Sequence, residues 1–218
     1  MCAIIGFESD NVKEQDLSIL KRVLIESKIR GKHASGIAWC NGDKIICEKK
    51  PIPIDKFFQN FDLKNIVFDG KIRMIAHARY STSDLKYNQP LVSENGEIAI
   101  AHNGVVTQEG FEKWEELFGY KCITKNDSEL LLKALENNKN VFEIFPGASI
   151  ALVILTKNGL LSGCRNGKRP LWCGKIGEGK IYASTFDILK RSNVECIEKV
   201  LQYGEDLQLR YFNESKSL

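Results

Sequence analysis

Strand-length apolar runs, each closed by a turn residue, constrain this chain more than any other feature. One run begins at the second position and covers residues 2–8. Ser35–Cys40 and Lys44–Glu48 flank Asn41-Gly42-Asp43, a hairpin signature because Asn-Gly supplies the positive φ of a tight turn. Ile72–Tyr80 and Glu97–His102 lie either side of a polar loop holding Ser81–Pro90. Beyond Pro146 the runs are Ser149–Thr156, Leu160–Arg165, Pro170–Gly174, Lys180–Ser184 and Glu205–Tyr211. Asn158-Gly159, Asn166-Gly167 and Gly177-Glu178-Gly179 separate them. Helical periodicity is confined to residues 15–29, 109–118 and 127–137, with a short helix expected at 55–61 after Pro51 and Pro53. Asp16 is placed to cap the first helix, and Leu130, Leu131, Ala134 and Leu135 form the inward face of the third. The pattern predicts an α+β fold, antiparallel sheets covered by helices. No repeat, low-complexity stretch or linker divides it, so residues 1–218 are expected to form a single domain.

Composition excludes several function classes. Hydrophobic residues are 43% and charged residues 27%, which suits a chain that buries a core and excludes disordered and fibrous classes. A net charge of +3, from 31 basic and 28 acidic residues, implies neither a nucleic-acid nor an anionic-membrane partner. The longest apolar run, near Ala148–Leu155, falls far short of the roughly 20 residues that cross a bilayer. The start carries no secretory pattern, since Met1-Cys2-Ala3-Ile4-Ile5-Gly6-Phe7 runs directly into Glu8, Ser9 and Asp10. The seven cysteines are therefore read as reduced thiols of a cytoplasmic protein, the internal ones as packing residues. No Cys-x-x-Cys occurs, and His33, His77 and His102 lack metal-ligand spacing, so neither a metal nor a cofactor is expected.

Position 2 carries the most chemistry. Cysteine is small enough for an aminopeptidase to remove Met1, leaving Cys2 with a thiol and a free α-amine. Such an amine titrates at about 7.7–8.0, so it serves as a base near neutrality without help from a histidine. The alternative is a small buried hydrophobe at the start of a strand. Asn103-Gly104, after the strand ending at His102, offers a side-chain amide and a backbone N–H suited to an oxyanion, or forms an ordinary turn. Arg79 closes another strand ahead of Tyr80, Ser81 and Thr82; it either clamps a carboxylate or makes a surface ion pair. Asp127 either caps a helix or accepts from a substrate ammonium. His77 reads as a satisfied core residue, and His102 as one that positions the turn after it.

Taken in order, these segments match a family pattern. Met1-Cys2-Ala3-Ile4-Ile5-Gly6 resembles Met-Cys-Gly-Ile-x-Gly, and Arg30-Gly31-Lys32-His33-Ala34-Ser35-Gly36 resembles an Arg-Gly-x-(Asp)-x-x-Gly loop. Ala76-His77-Ala78-Arg79-Tyr80-Ser81-Thr82 resembles Gly-His-x-Arg-Trp-(Ala/Ser)-Thr, and Gln89-Pro90 follows as expected. Ala101-His102-Asn103-Gly104, Asn126-Asp127-Ser128-Glu129, Gly147-Ala148-Ser149, Arg169-Pro170-Leu171 and Ala183-Ser184 continue the match to Tyr203-Gly204-Glu205. The chain resembles the glutaminase domain of the class II, N-terminal-nucleophile glutamine amidotransferases across essentially its whole length.

The resemblance implies a four-layer αββα sandwich and hydrolysis of the side-chain amide of L-glutamine. It implies Cys2 as nucleophile, Asn103 and the Gly104 N–H as oxyanion donors, Arg79 on the substrate carboxylate and Asp127 on its ammonium. Tyr80 and Thr82 would line the pocket, and Arg30 would order the loop around the nucleophile. Ammonia would pass to a separate synthase in trans. Nothing in the chain resembles a phosphoribosyltransferase, a sugar isomerase or an asparagine-forming ATP domain, so the expectation is a free-standing subunit or a fragment of a longer chain. The alternatives are an amidohydrolase acting on another γ-glutamyl amide, and an idle module that binds glutamine or a partner. Four departures bear on loop closure and coupling: Tyr80 replaces Trp, Ser83-Asp84 replaces a small ending, His33 stands near a common Asp, and Cys164-Arg165-Asn166-Gly167-Lys168 lacks an Arg-Asp pair.

Overall fold

The apolar alternation of the strands sorts their side chains onto two faces, and the two faces build three separate cores. The computed structural model describes residues 2–80 and 88–203. Its strands are β1 (Ala3–Ser9), β2 (Ala34–Asn41), β3 (Lys44–Lys50), β4 (Ile72–Arg79), β5 (Leu91–Val92) and β6 (Ile98–Val105). They continue as β7 (Ser149–Thr156), β8 (Leu161–Arg165), β9 (Trp172–Ile176), β10 (Gly179–Ala183) and β11 (Glu195–Lys199). The helices are α1 (Glu14–Glu26), α2 (Ile54–Gln59), α3 (Trp114–Phe118), α4 (Ser128–Glu136), α5 (Val141–Ile144) and α6 (Phe186–Arg191). One sheet has the order β11-β9-β10-β1-β4-β2-β3 and the other β5-β6-β7-β8. Every strand pairing in them is antiparallel.

Ile5, Phe7, Met74 and Ile37 pack beneath Leu20 and Leu24 of α1, Phe57 and Phe58 of α2 and Ile188 of α6. Ile100, Ile150, Leu152 and Ile154 pack beneath Leu130, Leu131 and Leu135 of α4 and Phe142 of α5. The alternate residues Ile4, Ile75, Ala99, Ala101, Ala151 and Val153 meet between the sheets. The layers are thus helix, sheet, sheet, helix, the architecture that the resemblance implies. Each fully buried Leu, Ile or Phe contributes about 1.5–3 kcal/mol relative to exposure, so all three cores matter to stability.

Several local expectations change. Helix α1 starts a little earlier than the pattern suggests, so Asp16 is its third residue and accepts from Lys13 N–H at 2.9 Å across the first turn. Strand β6 runs through Asn103 and Gly104, which are paired with Ala151 and Ile150 of β7 rather than forming a turn. Cys196 is exposed at φ +48° on edge strand β11 and does not pack. The expected strand at 205–211 lies outside the described residues. Among the described residues, no helix is long and apolar enough to cross a membrane.

Candidate active site

Pairing register brings the marked residues to one end of the sandwich. Cys2 precedes Ala3, which pairs with Ala78 next to Arg79 at the end of β4. The ends of β6 and the start of α4 approach the same edge. Cys2, Arg79, Tyr80, Asn103, Gly104 and Asp127 line one cavity of about 380 Å3, with His77, Thr107, Trp114, Lys125 and Asn126 among its other walls. Arg30 lies behind Cys2, donating from Nε to the Cys2 carbonyl oxygen at 2.8 Å. Its guanidinium falls below its ordinary pKa, chiefly through burial; Cys2 opposes that shift and Arg169 adds to it. Thr82 lies outside the described residues.

Each wall has a local cause. Gly31 has no room for a Cβ because the Ala78 carbonyl occupies its place, so the Arg30 loop packs directly on the end of β4. His33 N–H donates to Arg79 O at 3.0 Å, and the His33 ring stacks 4.9 Å from that of Tyr80, which is half exposed at the rim. The Cys2 thiol faces Tyr80 O at 3.8 Å. Cys2 is half-buried on the cavity wall rather than lost in the core.

Gly104 admits no side chain, since a Cβ would overlap Ser149 O. Asn103 is buried, and among the described residues its Nδ2 has no hydrogen-bond partner. A buried donor that faces a cavity without a partner is the arrangement an oxyanion site requires. Asp127 occupies the N-cap position of α4, yet its side chain does not cap the helix. Oδ2 instead accepts from Val106 N–H at 2.6 Å, which ties the helix start to the chain leaving β6.

A closed hydrogen-bond ring stands behind Asn103, through residues whose polarity alone does not mark them as parts of the site. Gln89 Oε1 accepts from His102 N–H at 2.6 Å, and Gln89 Nε2 donates to Ser128 Oγ at 3.1 Å. His102 Nε2 faces the Ser149 carbonyl at 3.2 Å, which can only accept, so this nitrogen carries the proton. Nδ1 then accepts from Ser128 Oγ at 2.8 Å. Burial lowers the His102 pKa and Arg169 adds to this, while Asp127 and the Ser149 carbonyl oppose it. His102 therefore positions β6 against α4, and not a turn as the sequence suggests, because β6 continues through Asn103 and Gly104. His77 departs from expectation: it is buried on the cavity wall, but among the described residues neither ring nitrogen has a hydrogen-bond partner. Burial, reinforced by Arg79, pushes it down to about 3.

A larger cavity of about 590 Å3 lies at the other end of β4. Its Arg73 is already engaged by Asp10 at 2.7 Å, Ser9 O at 2.6 Å and Gly159 O at 3.1 Å, and none of the candidate site residues lines it. Among the described residues no group of three or more His, Cys, Asp or Glu side chains is arranged to hold a metal ion.

This sandwich, with a cysteine at the start of a central strand beside a polar cavity, defines an N-terminal-nucleophile type of hydrolase fold. The model of the glutamine amidotransferase domain matches residues 60–212, and the chain belongs to that family of enzymes. It is 29% identical over 237 aligned residues to the amidophosphoribosyltransferase of Methanothermobacter thermautotrophicus, covering 99% of this chain and 48% of that one. It is 31% identical to the glutamine–fructose-6-phosphate aminotransferase (isomerizing) of Staphylococcus aureus, covering 94% of this chain and 34% of that one. The solved glutamine phosphoribosylpyrophosphate amidotransferase of Bacillus subtilis superposes with a TM-score of 0.68 at 23% identity, over 92% of this chain and 46% of that one. The chain thus spans about a third to a half of the length of the curated relatives it matches.

Proposed function

We propose that this domain hydrolyses L-glutamine to glutamate and ammonia through a thioester on Cys2, and that the ammonia is consumed by a separate synthase subunit. With Met1 removed, the Cys2 α-amine is the base nearest its own thiol. The thiol sulfur bonds to the amide carbon, the carbon–nitrogen bond breaks, and the thiol proton is relayed through the α-amine to the departing ammonia. Water then adds to the thioester carbon, the carbon–sulfur bond breaks, and a proton returns to the sulfur. Asn103 Nδ2 and the Gly104 N–H hold the oxyanion in both steps. The Arg79 guanidinium holds the α-carboxylate and the Asp127 carboxylate the α-ammonium, while Tyr80 and Thr82 border the pocket and Arg30 steadies the Cys2 backbone.

The observation that carries this reading is the convergence of Cys2, Arg79, Asn103, Gly104 and Asp127 on one cavity, with the Asn103 donor unpartnered among the described residues. The synthase reading rests on the relatives, which bear the names of enzymes that combine glutamine with a second substrate. The test is glutamine hydrolysis by the wild-type protein and by Cys2→Ala. The variant is expected to fold, to bind glutamine and to release no ammonia. Undiminished release from folded Cys2→Ala would refute the mechanism.

A further inference from the structure

The cavity holds one buried histidine whose ring has neither a partner among the described residues nor a task in the mechanism above. His77 sits mid-strand in β4, paired with Ile4 of β1 and Gly36 of β2. It shares its strand face with Ile75 and Arg79, which turns it toward the space between the sheets and the cavity. Only 1% of it is exposed, and among the described residues neither Nδ1 nor Nε2 has a hydrogen-bond partner. Asn88 lies close enough to act on the ring electrostatically and oppose the fall in its pKa, but it makes no hydrogen bond to it; Nδ2 donates to Ser35 O at 2.8 Å and Oδ1 accepts from Gln89 N–H at 2.9 Å. The same cavity contains a contrasting histidine. His102 is equally buried and has both ring nitrogens satisfied. An apolar side chain of similar size would fill the His77 site without leaving two polar atoms unpaired, so a polar ring there calls for a ligand that pairs with it.

The ligand chemistry follows by elimination. Bound glutamine presents a carboxylate, an ammonium, a carbonyl oxygen and an amide NH2. In the reading proposed above, on which this inference rests, the first three meet Arg79, Asp127, and Asn103 with Gly104. The NH2 group donates two hydrogen bonds and needs an acceptor. A neutral imidazole always offers one acceptor nitrogen, and His77 remains neutral down to acid pH because burial and Arg79 disfavour its charged form. The pairing of His77 with Ile4 sets the ring two residues along β1 from Cys2, deeper in the cavity wall than Arg79 on the same face of β4.

We propose that His77 forms the amide-nitrogen subsite, its unprotonated ring nitrogen accepting an N–H from the scissile NH2 of glutamine. It moves no proton; it selects an amide and aims its nitrogen as the leaving group.

The experiment compares kcat/KM for L-glutamine with kcat/KM for the γ-methyl ester of L-glutamate, which keeps the carbonyl and both ends of the amino acid but has no N–H to donate. This ratio reports the acylation half-reaction in each case. In His77→Leu the glutamine-to-ester ratio is expected to fall about tenfold, the size of one hydrogen bond to a buried group. His77→Asn, which retains an acceptor, is expected to recover part of it. A purely structural role would lower both substrates together, and an unchanged ratio would overturn the assignment. A second measurement does not depend on His77 variants folding. In Cys2→Ala protein, the ring 15N signal of the unprotonated His77 nitrogen is expected to move on addition of glutamine and not on addition of the ester. Equal responses would overturn the assignment. Wild-type protein that releases ammonia but shows no such ratio change in His77→Leu rejects the His77 role alone. Wild-type protein that hydrolyses neither compound rejects the glutaminase reading and this subsite with it.

Discussion

At the scale of single residues, the proposed site depends on the Arg79 guanidinium and on the absence of a side chain at Gly104. Arg79→Ala removes the only cation assigned to the substrate carboxylate. Apparent glutamine affinity is expected to weaken by roughly 2–5 kcal/mol, and an unchanged KM would take Arg79 out of the site. Gly104→Ala places a methyl group where Ser149 O already sits. A loss of about 1–3 kcal/mol of stability in urea denaturation is expected, and a neutral result would show that β6 can shift away from β7. Cys2, Arg79, Asn103 and Asp127 stand out in the sequence as candidates because each is a polar or reactive type at the edge of an apolar run, and the fold brings them to one cavity. His77 is not legible in this way. A histidine in the middle of a strand looks like any core residue until its missing partners are seen.

At the scale of elements, the α4 start and the end of β6 act as one unit. Ser128 Oγ joins Gln89 to His102, and Asp127 Oδ2 holds Val106 N–H. Ser128→Ala leaves His102 Nδ1 and Gln89 Nε2 buried without that partner. Stability is expected to fall by roughly 1–3 kcal/mol, and kcat should fall more than KM rises because Asn103 is carried on the same strand. Equal changes in both, or none, would separate the ring from catalysis. Long amphipathic elements such as α1 and α4 are readable because their periodicity records the face they bury. Strand β11 is not, because it is an edge strand with exposed residues and an irregularity between Glu195 and Glu198. The short helices α5 and α6 and the two-residue β5 are too brief to establish a period. The placement of Asn103 and Gly104 inside β6 rather than after it was also hidden, since Asn-Gly is a turn signal wherever local sequence alone decides; here pairing with β7 decides instead.

At the scale of the whole molecule, two buried neutral histidines make the fold acid-sensitive. His77 and His102 both have folded pKa values below the unfolded value of about 6.5. Above that pH both states are neutral and the pair contributes no pH dependence. As pH falls below about 6.5 the unfolded chain takes up protons that the folded chain refuses, so stability declines toward the folded His77 value of about 3. Thermal melts from pH 7 to pH 4 are expected to show a falling Tm, with a shallower slope in folded His77→Leu; parallel slopes would mean that His77 is not the sensitive group. The cysteines divide in the opposite direction. Burial pushes Cys40 and Cys173 up to about 11 and Cys122 and Cys164 up to about 12, and it also raises Cys47. These thiols are poor nucleophiles near neutrality. Cys196 is exposed but lies on β11, away from the cavity lining, so Cys2 is the one cysteine on the cavity that also holds Arg79 and Asp127.

That combination yields the most direct test of the central claim. Intact-protein mass, measured before and after incubation with an electrophilic glutamine analogue, is expected to show loss of Met1 and one adduct that maps to Cys2. Retained Met1 with no adduct, or an adduct that maps to Cys196 instead, would contradict a working nucleophile at the head of β1.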